Sequence, residues 1–124
     1  MKIKTLVLYL VTFVLFSISP VAISAVDKVK LEEDMKNNPN CKALFLSRSY
    51  QRKVSGLEKV AFSVARDEDG IRLCAWRWVG LLASTKTLIN NANAGCEEMR
   101  INYMTRTRKP TNSCEIYAIG NEIQ

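Results

Sequence analysis

The 124 residues contain no histidine, so neither a Cys–His nor a Ser–His–Asp nucleophile can be assembled from them. Zinc loses its usual nitrogen ligand for the same reason, and no Cys-x-x-Cys pair offers it a sulfur half-site. The five glycines are scattered singly, and none opens a phosphate-cradling loop. Carboxylates occur in three short runs, Glu32-Glu33-Asp34, Asp67-Glu68-Asp69 and Glu97-Glu98. Paired carboxylates can cleave glycosides, but each run reads more simply as a solvated helix face or a turn. The acidic turn also lacks the twelve-residue ligand spacing of a calcium loop. The chain is expected to be no enzyme and to carry no catalytic residue, no metal and no cofactor.

What is present points first to a compartment. Met1-Lys2-Ile3-Lys4 is short and positive, and an apolar run from Leu6 to Phe16 follows. Ser17, Ser19 and Pro20 break that run, and Val21-Ala22-Ile23-Ser24-Ala25 supplies small residues for cleavage. This is the order of a secretory signal, expected to span residues 1–25 and to be cut after Ala25. The run falls short of the roughly 20 residues that cross a bilayer, so no stable membrane anchor is expected after cleavage. The product is expected to be periplasmic or secreted. Removal of Lys2 and Lys4 would lower the formal charge from +6 to +4.

All four cysteines, Cys41, Cys74, Cys96 and Cys114, lie beyond the signal. An even count in an exported chain reads as a disulfide framework, and four cysteines allow three pairings. A domain of about a hundred residues buries a modest fraction of its surface and gains from such staples.

The remaining chain divides into a charged N-terminal extension, 26–58, and a hairpin-helix-strand unit, 59–124. Lys30 to Lys36, with Leu31 and Met35 four apart, reads as a short amphipathic helix. Asn37-Asn38-Pro39-Asn40 stops it, because proline disfavours helix in the residue before it. Residues 26–40 are expected to be a frayed terminus, the alternative being a mobile arm that orders on a partner. Cys41 to Leu46 leans to helix, and Ser47 to Gly56 to loop. Lys59 to Ala65 and Ile71 to Val79 read as two strands around Asp67-Glu68-Asp69-Gly70, a three-residue loop closed by a glycine bulge. In that register Val64 faces Cys74, Phe62 faces Trp76 and Val60 faces Trp78. These six residues form the larger apolar face, expected to meet the core with both tryptophans buried. Ala61, Ser63, Ala65, Leu73, Ala75 and Arg77 share the other face.

Ser84 or Thr85 can cap the next helix, where Ile89, Ala92, Cys96, Met99 and Tyr103 make one stripe. Thr105 to Asn112 is a basic loop, and Cys114 to Ile119 the last strand. The expected fold is α+β: a small antiparallel sheet, hairpin plus C-terminal strand, covered on one face by one main helix and held by two disulfides. Cys96 on the helix and Cys114 at the start of the returning strand would close a short loop. Cys41–Cys74 then ties the extension to the hairpin.

Residues 59–124 resemble a small module of uncharacterised function found in exported and envelope proteins of Gram-negative bacteria. The matching segments are Lys59-Val60-Ala61-Phe62-Ser63, Asp69-Gly70, Trp76-Arg77-Trp78-Val79-Gly80, Ile89-Asn90-Asn91-Ala92, Cys96-Glu97-Glu98 and Cys114-Glu115-Ile116-Tyr117-Ala118. The chain departs from that pattern at Asn93, where leucine is usual, and in its extra pair Cys41 and Cys74. The resemblance implies the Cys96–Cys114 bridge and brings no catalytic residue with it.

Basic residues are the remaining candidates for binding: Arg77 on the strand, Arg100 on the helix, and Arg106, Arg108 and Lys109 in the loop. Arg48, Arg52 and Lys53 form a second basic set. Basic patches attract phosphates, anionic lipids or acidic proteins. For an exported chain the expected partner is another envelope or secreted protein with an acidic face, not nucleic acid. The expected role is a non-enzymatic interaction module. The narrower alternative is an inhibitor or immunity protein that blocks a cell-wall hydrolase or toxin.

Overall fold

The computed structural model describes residues 25–124, so the expected export signal falls outside it except for Ala25. Three short helices come first: α1 (Ala25–Asp34), α2 (Pro39–Phe45) and α3 (Arg48–Ser55). The strands β1 (Lys59–Asp67) and β2 (Gly70–Val79), the long helix α4 (Thr85–Thr107), and the strands β3 (Glu115–Ile119) and β4 (Glu122–Ile123) follow. The sheet is antiparallel, in the order β2-β1-β3-β4. It packs with α4 as the one main helix, and the disulfides are Cys41–Cys74 and Cys96–Cys114. The fold is the expected α+β class.

The hairpin register is also as expected from Lys59↔Val79 through Ala65↔Leu73. The irregularity falls elsewhere. The loop is the two-residue Glu68-Asp69, and the extra residue is Arg72 rather than a residue of the turn. Asp67 explains the tighter turn: its Oδ1 accepts from the Asp69 amide (2.9 Å) and its Oδ2 from Arg72 Nε (2.7 Å). Gly70 at φ +116° closes it, a backbone conformation that costs glycine little. The bulge turns Ile71 onto the same face as Cys74.

A second irregularity, at Tyr117 between Phe62↔Ala118 and Ser63↔Ile116, puts Tyr117 and Ala118 on one face together. β-Bulges re-aim side chains in this way. Here the bulge lets the Tyr117 hydroxyl donate to Asp34 Oδ2 (3.0 Å) at the end of α1.

The sheet is covered on both faces, not one. β1 is buried at every position from Val60 to Ala65, as suits a central strand between two layers. The Phe62 face meets α1–α3. Leu31, Met35, Phe45 and Tyr50 pack there against Val60, Phe62, Val64 and Tyr117. Phe45 lies 5.2 Å from Phe62, edge to face, and Tyr50 stands in the same way to Phe62 and Trp76. Residues 26–40 are therefore neither frayed nor a mobile arm, since Leu31 and Met35 are core residues. Asn38, expected only as a stop, caps α2 by accepting from the Cys41 amide. Its side-chain nitrogen donates to the carbonyls of Ile71 and Arg72.

Ser47 to Gly56 is helical, not loop. Ser47 caps α3 by accepting from the Tyr50 amide, and Tyr50 and Val54, four apart, face inward.

α4 packs on the other face, against Ala61, Ala65, Ala75 and Val79. These small side chains accept a close helix, and α4 answers with Leu88, Ala92, Gly95 and Cys96. The buried stripe is thus rotated from the expected one: Ile89 is half-buried and Met99 is 44% exposed. Ala92 and Cys96 belong to both stripes, and the turn of the helix about them brings Leu88 and Gly95 in where Ile89 and Met99 were expected. Ser84 provides the expected cap, accepting from the Thr87 amide. Buried Ser63 shares its hydroxyl between Asn93 Oδ1 (2.6 Å) and the Glu115 carbonyl (3.1 Å). Asn93 is thus the partner of the one buried polar side chain on β1.

Candidate functional site

The expected binding residues separate in space. Arg77 lies across α4, where its guanidinium occupies the space above Gly95 and Nη1 donates to the Trp76 carbonyl (2.8 Å). Arg100 is mostly buried and structural: Nε pairs with Glu97 Oε2 (2.6 Å), and Nη1 reaches the Thr111 carbonyl (3.3 Å). Glu97 Oε1 in turn accepts from the Cys114 amide (2.6 Å). That amide, assisted by Arg100, holds the Glu97 carboxyl below the usual carboxylate range. Arg100 is thus held within the fold, whereas Arg77 is exposed and, among the described residues, gives only that one bond to a backbone carbonyl.

Arg106, Arg108 and Lys109 remain together. Arg106 belongs to the last turn of α4 rather than to a loop, because the helix runs on to Thr107. Arg108 ends it in the left-handed region (φ 59°), its amide donating to the Met104 carbonyl (2.8 Å). The Lys109 amide donates to Thr107 Oγ1, and the Asn112 amide to the Arg66 carbonyl (2.7 Å). The turn is therefore pinned to the end of β1, with all three cationic side chains exposed and, among the described residues, none of them in an ion pair.

Lys109, with Pro110, Thr111 and Asn112, forms one lip of an open cleft of about 640 Å³, which Arg106 and Arg108 do not line. The hairpin turn Asp67-Glu68-Asp69 and Arg72 form the other lip. The acidic lip sets three carboxylates against the one guanidinium of Arg72, which pairs with Asp67 and Asp69, so it stays net negative opposite Lys109. Burial opposes ionisation of Asp67, but Arg72 and the Asp69 amide outweigh it and hold the carboxyl below its ordinary value. Asp69 Oδ2 also lies 3.6 Å from Arg72 Nη2. An ionised, guanidinium-paired Asp67 is a poor proton donor at neutral pH. Among the described residues no three His, Cys, Asp or Glu side chains gather as a metal site. The cleft is suited to electrostatic contact rather than to proton transfer.

The tryptophans divide. Trp76 is half-buried against Tyr50. Trp78, expected in the core, is 49% exposed near the end of edge strand β2, with Lys53 Nζ 3.7 Å above its ring. Of α1–α3, the Lys53 side chain of α3 reaches over it and leaves half of the ring to solvent.

The sequence reading missed its neighbours. Leu81 and Leu82 occupy the two corners of the turn closed by the Ala83 amide on the Gly80 carbonyl (3.0 Å), and Leu57 precedes β1. All three are largely exposed. A Gly-Leu-Leu-Ala turn was the available signal, because turn corners normally take polar residues. Comparison with protein-family models, with curated proteins and with solved structures finds no match to this chain.

Proposed function

We propose that this chain is exported to the periplasm or the medium and works there as a non-enzymatic interaction module, binding an acidic face of another envelope or secreted protein. The observation that carries the reading is the pinned turn Arg106–Lys109, three exposed cations in no ion pair among the described residues. A turn already ordered before binding loses little entropy on association, and unpaired cations at its rim steer an acidic partner toward it. The two disulfides support an oxidising compartment, where such bonds persist. Kinship of residues 59–124 with small exported modules belongs to the same proposal.

The rigidity of the turn favours a narrower version, an inhibitor or immunity protein that inserts this turn into a cell-wall hydrolase or toxin. Affinity capture from envelope and culture fractions, repeated at rising salt, tests the reading. Arg106→Glu/Arg108→Glu/Lys109→Glu is expected to abolish capture of a salt-sensitive partner. A partner captured equally by this variant, with the same salt dependence, would remove the turn from the interface.

A further inference from the structure

The opposite end of the hairpin carries a second surface. Nine residues of β1 at about 3.3 Å each put it roughly 25 Å or more from the cationic turn. Its test therefore stands or falls apart from the proposed function.

Lys59↔Val79 is the last strand pair at that end, and the Gly80–Ala83 turn lies just beyond it. The turn is firmly held. Val79 is buried, Ala83 packs with Leu88 and Ala92, and Lys59 Nζ donates to the Ala83 carbonyl (2.8 Å). On this fixed base Leu81 is 58% exposed and Leu82 is 101% exposed, with Leu57 at 79% beside the same end of β1. Trp78 adds an aromatic face, and Lys53 stands over it. Nothing in the fold requires leucine at these corners. Water-facing leucines on a rigid turn are costly to expose and gain free energy wherever an apolar phase can take them.

The charge around this apolar tip has one dominant sign. Residues 48–59 and 78–88 hold Arg48, Arg52, Lys53, Lys59 and Lys86 against the single carboxylate Glu58. Glu58 is already paired with Lys53 at 3.3 Å. Lys86 sits in the first turn of α4, which contains no acidic residue, although a helix N-terminus favours anions over cations. An exposed apolar point ringed by lysines, with a tryptophan at its edge, has the chemistry of an anionic bilayer surface: acyl chains below, phosphates around. Two leucines on the turn, with Leu57 and Trp78 beside them, are also a small area beside the roughly 800 Å² that a standard protein interface takes from each partner. Among the described residues no helix is long and apolar enough to cross a membrane, so the contact is peripheral.

We propose that this tip docks reversibly on an anionic lipid bilayer, its leucines entering the headgroup–acyl boundary, Trp78 lying at that level, and the exposed Arg52 and Lys86 meeting lipid phosphates.

The test uses the oxidised protein purified from the export compartment. It is compared with Leu81→Ser/Leu82→Ser and with Arg52→Gln/Lys86→Gln, all sharing one N-terminus verified by mass. Vesicles of phosphatidylcholine alone and of phosphatidylcholine with phosphatidylglycerol are the probes, read by co-sedimentation and tryptophan fluorescence. The unmodified protein is expected to partition onto the anionic vesicles only, with a blue shift in emission. Leu81→Ser/Leu82→Ser is expected to lower that partition at least about tenfold, since each leucine loses its transfer to an apolar phase. Arg52→Gln/Lys86→Gln is expected to lower it about 25-fold, roughly fivefold for each of the two cations near the surface. Both variants should melt like the unmodified protein, because none of the four side chains is in the core. No partition onto anionic vesicles, equal partition onto neutral ones, or partition indifferent to the leucine change would overturn the proposal. So would a dimer in sedimentation velocity that Leu81→Ser/Leu82→Ser dissociates in the absence of vesicle binding, which would make a second copy the occupant.

Discussion

Removing the Cys41–Cys74 bridge separates the two contributions that hold α1–α3 on the sheet, covalent and apolar. The bridge spans 33 positions and joins α2 to β2 across the core. In the chain-entropy account, a loop of that length withholds roughly 13 cal/mol/K from the unfolded ensemble, or about 3.8 kcal/mol at 25 °C. The same reasoning for Cys96–Cys114, separated by 18, gives about 3.2 kcal/mol. A domain of this size has a total stability of only about 5–15 kcal/mol, so either loss is a large fraction of it and both together are expected to abolish folding. Cys41→Ala/Cys74→Ala is expected to lower the unfolding free energy by about 3–4 kcal/mol in equilibrium urea titration without reductant.

The effect should also be uneven across the molecule. α4 and β3 keep their own bridge, whereas α1–α3 then rely on apolar packing, chiefly of Leu31, Met35, Phe45 and Tyr50, and on the hydrogen bonds of Asn38 and Asp34. Amide exchange should rise first at Leu31, Met35 and Tyr50, and least along β1. A loss below about 1 kcal/mol would refute the entropic reasoning. Uniform loosening of both layers would refute the idea that the bridge clamps one layer onto the other.

Ser63→Ala and Asn93→Leu are each expected to cost about 1 kcal/mol, because each breaks a partly buried hydrogen bond. The double variant should cost less than the sum by about 0.5–1.5 kcal/mol in denaturant unfolding, and strict additivity would mean the two residues act separately. Gly95→Ala is expected to stabilise by up to about 1 kcal/mol in an Arg77→Ala background, where helix propensity acts unopposed. The gain should be smaller in the native background, where the new Cβ meets Arg77 Nη2 at 2.6 Å. A loss in the Arg77→Ala background would show that the sheet itself presses on that position. Glu97 is held ionised by the Cys114 amide and then by Arg100, so its folded pKa lies below its unfolded one. Its contribution is present above about pH 4.5 and fades as pH falls through the folded value. Glu97→Gln should therefore flatten the acid limb of the stability profile, and an unchanged limb would assign that limb to other carboxylates.

The amino-acid pattern alone was enough for the hairpin, its register, the long capped helix, the last strand and both disulfides. These are local or nearly local matters. Alternation sets which residues share a strand face, a turn sequence joins the strands, and the even cysteines follow from the order of elements. Tyr50 and Val54, four apart behind the Ser47 cap, did mark α3. The density of charge and polarity around them masked it.

What only the tertiary structure decided was which surface covers which. Ala61, Ala65 and Ala75 look like a weak outer face until α4 lies on them with Ala92, Gly95 and Cys96. The larger face then becomes free to receive α1–α3. The bulges at Arg72 and Tyr117 each shift alternation by one residue, which no two-residue period can announce. Trp78 and Trp76 share a strand face and differ only in how far the N-terminal helices reach along β2. Arg100 and Lys109 are both basic residues near the same turn. One is absorbed by Glu97 and Thr111, and the other has no partner, because burial and pairing depend on neighbours that lie close in space and far apart in the chain.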